Sequence, residues 1–284
     1  MTLAMITDLL PVSFVKNLQK ILINGNYGDF VLNPDSVAII EYFKTNNPRA
    51  SIDVMTNGSA RSKTFWQSLG KLGITVTFGL DGLEDTHHLY RQDTNFAVIL
   101  DNAKTFIGAG GRAIWKYIVF PHNSHQVSAA RELALSLGFT DFYAFQNQRN
   151  IGPVYDRTGK KIFAITPGVG SDLPDQVNET VIKNLPAETW LPNNNVEISC
   201  HAMNERSLYI NAEGKLYPCC WMNVSRTGID SGTVPRVDEE FDNFFIEDQG
   251  TVDPDRLWFR PVVHSWSNKP HAICQGVCGV NYAS

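Results

Sequence analysis

The stretch "SIDVMTNGSARSKTFWQSLGKLGITVTFGLDG", residues 51–82, contains the pattern that decides the fold. Its beginning, residues 51–58, is a short run rich in β-branched and apolar residues that ends in a turn. Residues 61–73 are amphipathic and end at a glycine, and residues 74–82 form a second β-branched run. Two such strands joined by a helix are typical of a βαβ unit, in which the strands are parallel.

The same alternation continues on both sides of this stretch. Strands are predicted for residues 20–24, 51–58, 74–82, 112–120 and 140–146, and helices for residues 34–46, 61–73, 95–111 and 124–138. The strand interiors carry apolar residues on both faces, which is typical of a parallel sheet covered on both sides. We therefore predict an α/β fold with five parallel strands, arranged as an open sheet or as part of a (β/α) barrel.

The pattern stops near residue 150, and this indicates three regions. Residues 1–150 are the predicted barrel domain. Residues 151–198 are rich in Pro, Gly, Asp and Asn and are predicted to be a linker or irregular segment. Residues 199–284 are a small domain that holds all five cysteines. Within it, "SLYINAEGKLYPCCW" (207–221) predicts a hairpin with its turn at "NAEG", and residues 238–248 predict a short helix.

Composition and charge favour neither a nucleic-acid-binding protein nor a membrane-spanning one. The 284 residues carry a net charge of −5, which does not indicate a broad surface for nucleic acid. No apolar run approaches the roughly 20 residues that span a bilayer, and no basic segment precedes the first apolar stretch. We expect a cytoplasmic protein without a membrane partner. In a reducing compartment, clustered cysteines are metal ligands or catalytic groups more often than disulfides.

Polar and glycine residues recur at the carboxyl ends of the predicted strands, which is the edge where α/β folds bind ligands. Turn formation alone explains Gly, Asn and Asp at any one of these ends. It does not explain a threonine, a histidine or an arginine there, so the set as a whole favours a site. The candidate ligand-binding residues are Gly25, Asn26, Gly28, Asp29, Thr56, Asn57 and Gly58, and the candidates that organise the rim are Asp81, His88 and Arg91.

Four of the cysteines form two separated pairs that can supply the thiolates of a metal site. A hairpin turn at Gly214 would bring Cys200 near Cys219, and Cys274 lies one helical turn from Cys278. The remaining cysteine, residue 220, would point to the other side of the strand. The spacing leaves three interpretations open: an iron–sulfur cluster, a zinc ion, or buried thiols without metal.

Taken together, these motifs resemble the radical SAM superfamily. "CHAMNERSLYINAEGKLYPCC" (200–220) is similar to the opening of the SPASM or twitch domain, a Cys-x(9–15)-Gly-x4-Cys pattern that binds auxiliary [4Fe–4S] clusters. "NGNYGD" (24–29) resembles the glycine-rich motif that contacts the amino group of S-adenosylmethionine (SAM). "TNG" (56–58) resembles the strand-end motif near its ribose and carboxylate, and "FGLDGLEDTHHLYR" (78–91) resembles a segment typical of SPASM-containing members.

One feature of that superfamily is absent from this sequence. Its members carry Cys-x3-Cys-x2-Cys after the first strand, and the three thiolates hold the [4Fe–4S] cluster that cleaves SAM. This chain has no cysteine before position 200, and Phe30 replaces the proline expected after the glycine-rich motif. Residues 1–19 resemble the helix that follows the cluster loop. The resemblance therefore implies that the first strand and the cluster loop are missing, and that at most one auxiliary cluster fits.

The resemblance implies a radical SAM/SPASM iron–sulfur protein, N-terminally truncated or split, that acts on a peptide or another bulky substrate. This chain alone would not perform the radical step. SAM would serve as cofactor only with the missing segment supplied, for instance by a second polypeptide. Cys200, Cys219, Cys274 and Cys278 would hold the auxiliary cluster, with zinc as the alternative. Two other interpretations stay open: a non-catalytic relative that uses its metal site for binding or electron transfer, and a zinc-stabilised α/β binding protein.

Overall fold

The computed structural model describes residues 1–25, 28–146, 152–155, 158–165, 197–205, 207–217, 219–220, 274 and 278–280. The chain divides into two compact units. One, the sheet unit, consists of residues 12–182 with Thr2, and the other, the cysteine unit, consists of residues 3–11 and 183–284 with Met1. Each unit is described by itself below.

Five parallel strands form the sheet of the sheet unit. They are β1 (Lys20–Asn24), β2 (Ser51–Thr56), β3 (Thr75–Gly79), β4 (Arg112–Val119) and β5 (Asp141–Gln146). Their order in the sheet is the order of the sequence, and every neighbouring pair is parallel. The predicted α/β fold with five parallel strands, of the kind found in a partial (β/α) barrel, is confirmed.

The described residues form eight helices, and five of them lie between the strands of the sheet. The eight are α1 (Leu3–Leu9), α2 (Val12–Val15), α3 (Ser36–Asn46), α4 (Lys63–Lys71), α5 (His87–Tyr90), α6 (Phe96–Gly108), α7 (Val127–Ser136) and α8 (His201–Asn204). Short 3-10 helices cover Phe30–Leu32 and Ser124–Gln126. The four long helices predicted in the sheet unit are all present. Among the described residues, no helix has the length and apolar character needed to cross a membrane.

The two faces of the sheet differ in burial. Alternate strand residues on one face, such as Val54, Phe78 and Trp115, are fully buried beneath the helices. Trp66 of α4 packs against Phe78 with ring centroids 5.4 Å apart. The other face, here called the open face, is half-buried and consists of Asp53, Met55, Thr75, Thr77, Ile114, Lys116, Ile118, Asp141, Tyr143 and Phe145. The open face mixes apolar side chains, such as Met55, Ile114 and Ile118, with polar and charged ones, so the expectation of apolar residues on both faces holds there only in part.

Strand β1 is the least buried strand of the sheet. Its residues alternate between exposed and half-buried, and Leu22 is 55% exposed. Its central neighbour β2, in contrast, buries every second residue. Among the described strands, β1 pairs only with β2, so its other side is an edge of the parallel sheet. The missing first strand stays a prediction.

The segment that follows the sheet differs from the expected irregular linker in its first part. Strands β6 (Gly152–Tyr155) and β7 (Lys161–Ile165) pair as an antiparallel hairpin, with a register irregularity at Val154 and Tyr155. The alternating run "KIFAI" has strand propensity of its own, which the Pro and Gly content of the surrounding residues obscured. The proposed domain boundaries at 150 and 198 stay predictions.

In the cysteine unit, two short antiparallel pairs are described. Strand β8 (Glu197–Ile198) pairs with β11 (Gly279–Val280), and β9 (Tyr209–Ile210) pairs with β10 (Leu216–Tyr217). The second pair is the hairpin predicted from the sequence. Its turn is closed by Asn211, whose Oδ1 accepts hydrogen bonds from the backbone N–H groups of Glu213 at 3.0 Å and Lys215 at 2.8 Å. The helix predicted for residues 238–248 lies outside the described residues.

Candidate functional site

A hydrogen-bonded carboxylate lies at the carboxyl ends of β1 and β2. Asp29 Oδ2 accepts hydrogen bonds from Thr56 Oγ1 and from the backbone N–H of Asn57, both at 2.8 Å. Asp29 Oδ1 accepts a third hydrogen bond, from the backbone N–H of Val31 at 3.2 Å. The structure thus brings together three predicted binding residues from two different loops, and we call this group the Asp29 cluster: Asp29, Thr56 and Asn57.

The turn after β2 is fixed by Thr56 and Gly58. Thr56 Oγ1, which donates to Asp29, also accepts a hydrogen bond from the backbone N–H of Gly58 at 2.9 Å. Gly58 has φ +70, and a Cβ there would lie 2.6 Å from the ring of Phe78. Both residues therefore have clear structural roles. Asn57 is different: its Oδ1 accepts from Ser59, while its Nδ2 donates to no described residue.

The loop that carries Asp29 is tightly folded. A Cβ at Gly25 would overlap the carbonyl oxygen of Gly28, so glycine is required at position 25 by the chain's own close approach. Asn26 lies outside the described residues. Arg61, which no sequence motif singles out, holds this loop by donating hydrogen bonds to the carbonyl oxygens of Val31 and Asn33. The backbone of Arg61 is left-handed, with φ 76, which is uncommon for a residue other than glycine.

Asp81 and Arg91 form a buried ion pair after β3. Arg91 Nε donates to Asp81 Oδ2 at 2.6 Å, and the backbone N–H of Ile118 donates to Asp81 Oδ1. The Asp81 side chain is fully buried. Burial raises the pKa of this carboxyl group, and the positive charge of Arg91 opposes the rise. Two of the three predicted rim residues are therefore in direct contact.

The histidine that joins this pair is His87 rather than the predicted His88. His88 is exposed, whereas His87 is 1% exposed and its Nδ1 accepts the backbone N–H of Asp81 at 3.3 Å. His87 Nε2 lies 2.9 Å from Thr94 Oγ1, which itself donates to the carbonyl oxygen of Arg91 at 2.7 Å. These roles fix a neutral imidazole with its proton on Nε2. The assigned role of His88 stays a prediction.

Burial lowers the pKa of His87 to about 4, and the nearby charge of Arg91 and the imidazole of His88 act in the same direction. The imidazole therefore stays neutral at physiological pH and serves as a fixed hydrogen-bonding group. Together with the buried ion pair, it holds the loop between β3 and α5 in one conformation. The loop in turn determines where the guanidinium of Arg91 lies.

Asn123 connects this loop to the end of β4. Its side chain is completely buried; Nδ2 donates to the carbonyl oxygens of Asp81 at 3.1 Å and Ile118 at 3.0 Å, and Oδ1 accepts from the backbone N–H of Phe120 at 2.7 Å. No sequence pattern separates this asparagine from an ordinary turn residue. Its three hydrogen bonds make the carboxyl ends of β3 and β4 a single rigid edge.

In the cysteine unit, Cys200 and Cys278 are joined by a hydrogen bond between their side chains. The backbone supports the pair, because the N–H of Ser199 donates to the carbonyl oxygen of Cys278 at 2.9 Å. The hydrogen bond from Cys278, with help from the N–H groups of Met203 and Ala202, lowers the pKa of Cys200 to about 6. The same hydrogen bond and burial raise the pKa of Cys278.

Cys274 is buried and close enough to Cys278 for an electrostatic interaction. All five cysteines belong to the described residues, and none is in a disulfide. Within the described ranges, no three His, Cys, Asp or Glu side chains are arranged to hold a metal ion. The thiols therefore provide suitable donor chemistry, with Cys200 and Cys278 already adjacent, but the four-cysteine ligand set that includes Cys219 stays a prediction.

No protein-family model and no curated protein matches the sequence. Among solved structures, SuiB of Streptococcus suis is similar at a TM-score of 0.56 and 12% identity, over 96% of this chain and 60% of that one. SuiB bound to S-adenosylmethionine gives a TM-score of 0.52 at 13% identity, over 96% and 59% of the two chains. A third structure, SuiB bound to its precursor peptide SuiA, gives 0.47 at 13% identity, over 89% and 55%. The chain shares the fold of SuiB and spans about 60% of its length.

Proposed function

We propose that this chain is a radical SAM-type iron–sulfur protein that binds SAM at the Asp29 cluster and acts on a peptide or another bulky substrate. The observation that carries the proposal is the Asp29 cluster itself, which lies at the carboxyl ends of β1 and β2. It occurs in a fold shared with SuiB, a protein with a structure bound to S-adenosylmethionine. The substrate class rests on the sequence resemblance.

The chemistry of the Asp29 cluster suits a ligand with an ammonium group. A carboxylate offers about four acceptor positions, and Asp29 uses three of them for donors within the chain. The remaining position can accept a hydrogen bond from the ligand, strengthened by the opposite charges. Asn57 adds an amide Nδ2 that could donate to a ribose oxygen or a carboxylate. Asp29 and Asn57 would therefore bind SAM directly, while Thr56 and Gly58 would position them.

When SAM is bound and the [4Fe–4S] cluster that cleaves it is supplied, SAM would provide the radical chemistry of the superfamily. The 284 residues contain no Cys-x3-Cys-x2-Cys motif, so we propose that this polypeptide alone binds SAM without cleaving it. Cys200, Cys219, Cys274 and Cys278 would hold an auxiliary [4Fe–4S] cluster, with zinc as the alternative metal. The absence of the motif from this sequence also favours a second candidate, a non-catalytic relative that uses its cysteine unit for binding or electron transfer.

Calorimetric titration with SAM tests the first part of the proposal. We expect saturable binding to the wild type and a loss of about tenfold in affinity in Asp29→Asn, which removes one charged hydrogen bond. Asp101→Asn, an exposed position on α6, is the matched control and should bind like the wild type. Asn57→Ala provides a second variant that leaves the carboxylate in place. No binding to the wild type, or equal affinity in all variants, would refute the SAM site.

Two further measurements separate the two candidates and the two metals. Anaerobic purification followed by an absorbance spectrum shows iron–sulfur absorption for a cluster and none for zinc. Incubation with SAM and dithionite, followed by chromatography for 5′-deoxyadenosine, tests cleavage by this chain alone, and we expect none. SAM binding favours the radical SAM candidate; a cluster without SAM binding favours the non-catalytic relative. Release of 5′-deoxyadenosine would show that the chain needs no further cysteines.

A further inference from the structure

Cys200 and Cys278 are far apart in the sequence, and the pairing of β8 with β11 brings their backbones together. Ile198 of β8 is the register partner of Gly279 of β11. One residue further along, the N–H of Ser199 donates to the carbonyl oxygen of Cys278 at 2.9 Å. Because paired strands lie about 5 Å apart, the chain beside Cys200 is within the separation that a disulfide can bridge.

The side chains of the two cysteines are also in contact. The thiol of Cys278 donates a hydrogen bond to the sulfur of Cys200, which accepts further hydrogen bonds from the backbone N–H groups of Met203 and Ala202. The carbonyl oxygen of Cys200 accepts from the N–H of Asn204 at 3.0 Å. The backbone and the side chain of Cys200 are therefore both held, with the sulfur directed at its partner.

A small reagent can reach this pair. Both cysteines are half-buried, whereas Cys274 is buried. Neither Cys200 nor Cys278 is in a disulfide, so the structure shows the reduced form of the pair. Two adjacent thiols that are partly open to solvent have the features of a dithiol that exchanges with external disulfides.

We propose that Cys200 and Cys278 form a redox-active dithiol, which a small disulfide such as oxidised glutathione converts into an intramolecular disulfide. The dithiol itself rests on the contact between the two sulfurs and on the paired backbone. Its consequence rests on the proposed function, because the disulfide removes two of the four thiolates proposed as metal ligands. Oxidation of this pair would therefore keep metal out of the cysteine unit until the pair is reduced again.

The exchange occurs in two steps that balance. The sulfur of Cys200 attacks the external disulfide, so that a mixed disulfide forms, the external S–S bond breaks and one small thiol leaves. The sulfur of Cys278 then attacks the Cys200 sulfur, which forms the internal disulfide and releases the second small thiol. The two cysteines together lose two electrons and two protons, and the external disulfide gains them as two thiols.

Mass spectrometry of the full chain tests the pairing. Protein purified without oxygen is incubated with oxidised glutathione, alkylated and digested with trypsin, which places the cysteines on three peptides, residues 184–206, 216–226 and 257–284. We expect a disulfide between the first and the third peptide, which fragmentation assigns to Cys278 and which a phosphine reductant removes. A disulfide to the second peptide, a bond at Cys274, or glutathione adducts without an internal disulfide would each overturn the proposal.

Two variants test the pairing independently. Cys278→Ser should lose the internal disulfide and retain glutathione on Cys200, because the second step lacks its attacking sulfur. Cys220→Ser is the matched control, since it removes a thiol from the same unit, and it should form the disulfide like the wild type. An equal yield of the linked peptides in Cys278→Ser and in the wild type would overturn the proposal.

Titration with Co²⁺ separates the dithiol from the proposed metal site. Co²⁺ binds thiolates and is followed by its thiolate absorption, without the sulfide that would itself reduce a disulfide. We expect the reduced chain to bind Co²⁺, the oxidised chain to bind none, and reduction to restore binding. Equal binding by both forms would overturn the exclusion of metal. No binding by the reduced chain would refute the proposed metal site and leave the dithiol standing; Co²⁺ binding without disulfide formation would do the reverse.

Discussion

His87 should give the sheet unit a stability that depends on pH. The imidazole is 1% exposed, and burial lowers its pKa from the reference value of 6.5 to about 4. Between these two values the unfolded chain binds a proton at His87 and the folded chain does not. The contribution of the neutral His87 imidazole to the unfolding free energy is therefore complete above pH 6.5 and is lost as the pH falls towards 4. Because one pKa unit corresponds to about 1.4 kcal/mol, the full loss is about 3 kcal/mol of unfolding free energy.

Asp81 contributes in the opposite direction, since burial raises the pKa of its carboxyl group. Its contribution is present at low pH and is lost as the pH rises through the folded-state pKa. Asp81 is present in both the wild type and His87→Gln, so its contribution cancels in the difference between their unfolding free energies. Glutamine can still donate to Thr94 from its own amide, so the comparison changes mainly the titrating group. The difference in unfolding free energy between the two proteins should shrink as the pH falls from 6.5 to about 4.

The assay is urea unfolding across this pH range, followed by fluorine NMR of fluorotryptophan-labelled protein. Trp115 is fully buried in β4 and reports on the sheet unit alone, and its signal is assigned with Trp115→Phe. His125→Gln is the matched control, because this histidine is exposed and is not among the groups that shift the pKa of His87, and it should follow the wild-type profile. Parallel pH profiles for the wild type and His87→Gln would refute the reasoning, since they would show that the buried imidazole does not titrate differently in the two states.

Three further predictions concern the edge of the sheet and the cysteine unit. Gly79→Ala should lower the unfolding free energy by about 1–3 kcal/mol, because the new Cβ displaces the guanidinium that lies 2.9 Å away, whereas Gly108→Ala, with nothing within 4 Å, should not destabilise. Thr56→Val should cost about 1–3 kcal/mol in urea unfolding and weaken SAM binding, and Thr56→Ser, which keeps the hydroxyl, should restore both. Cys274→Ala should reduce the iron bound after anaerobic reconstitution, measured as iron per chain, while Cys220→Ala should not; equal iron in both would exclude Cys274 as a ligand.

The strands were predictable because their signals are local. The predicted strand at 20–24 matches β1 at both ends, and its neighbour predicted at 51–58 ends at Thr56, where the hydrogen bond from Gly58 to the threonine begins the turn. The predicted helix 95–111 begins at Phe96, capped by the Asn95 side chain, and ends at Gly108. β-branched runs, cap residues and glycines encode these limits within a few residues of sequence.

The sequence predicted those site residues whose place follows from their position at the end of a strand. Asp29, Thr56 and Asn57 follow strands, and a parallel sheet brings such ends to one edge. The choice between two adjacent histidines depends on which one faces the core, and the short helix α5 gives no periodicity to decide it.

The edge of the sheet holds two carboxylates that the chain itself supplies with donors. Asp29 accepts three hydrogen bonds at the ends of β1 and β2, and Asp81 accepts from Arg91 and from the backbone N–H of Ile118 after β3. Asp29 is half-buried and keeps one acceptor position toward a ligand, whereas Asp81 is fully buried. Because exposed charges are screened by salt, added salt should weaken SAM binding to the wild type more than SAM binding to Asp29→Asn.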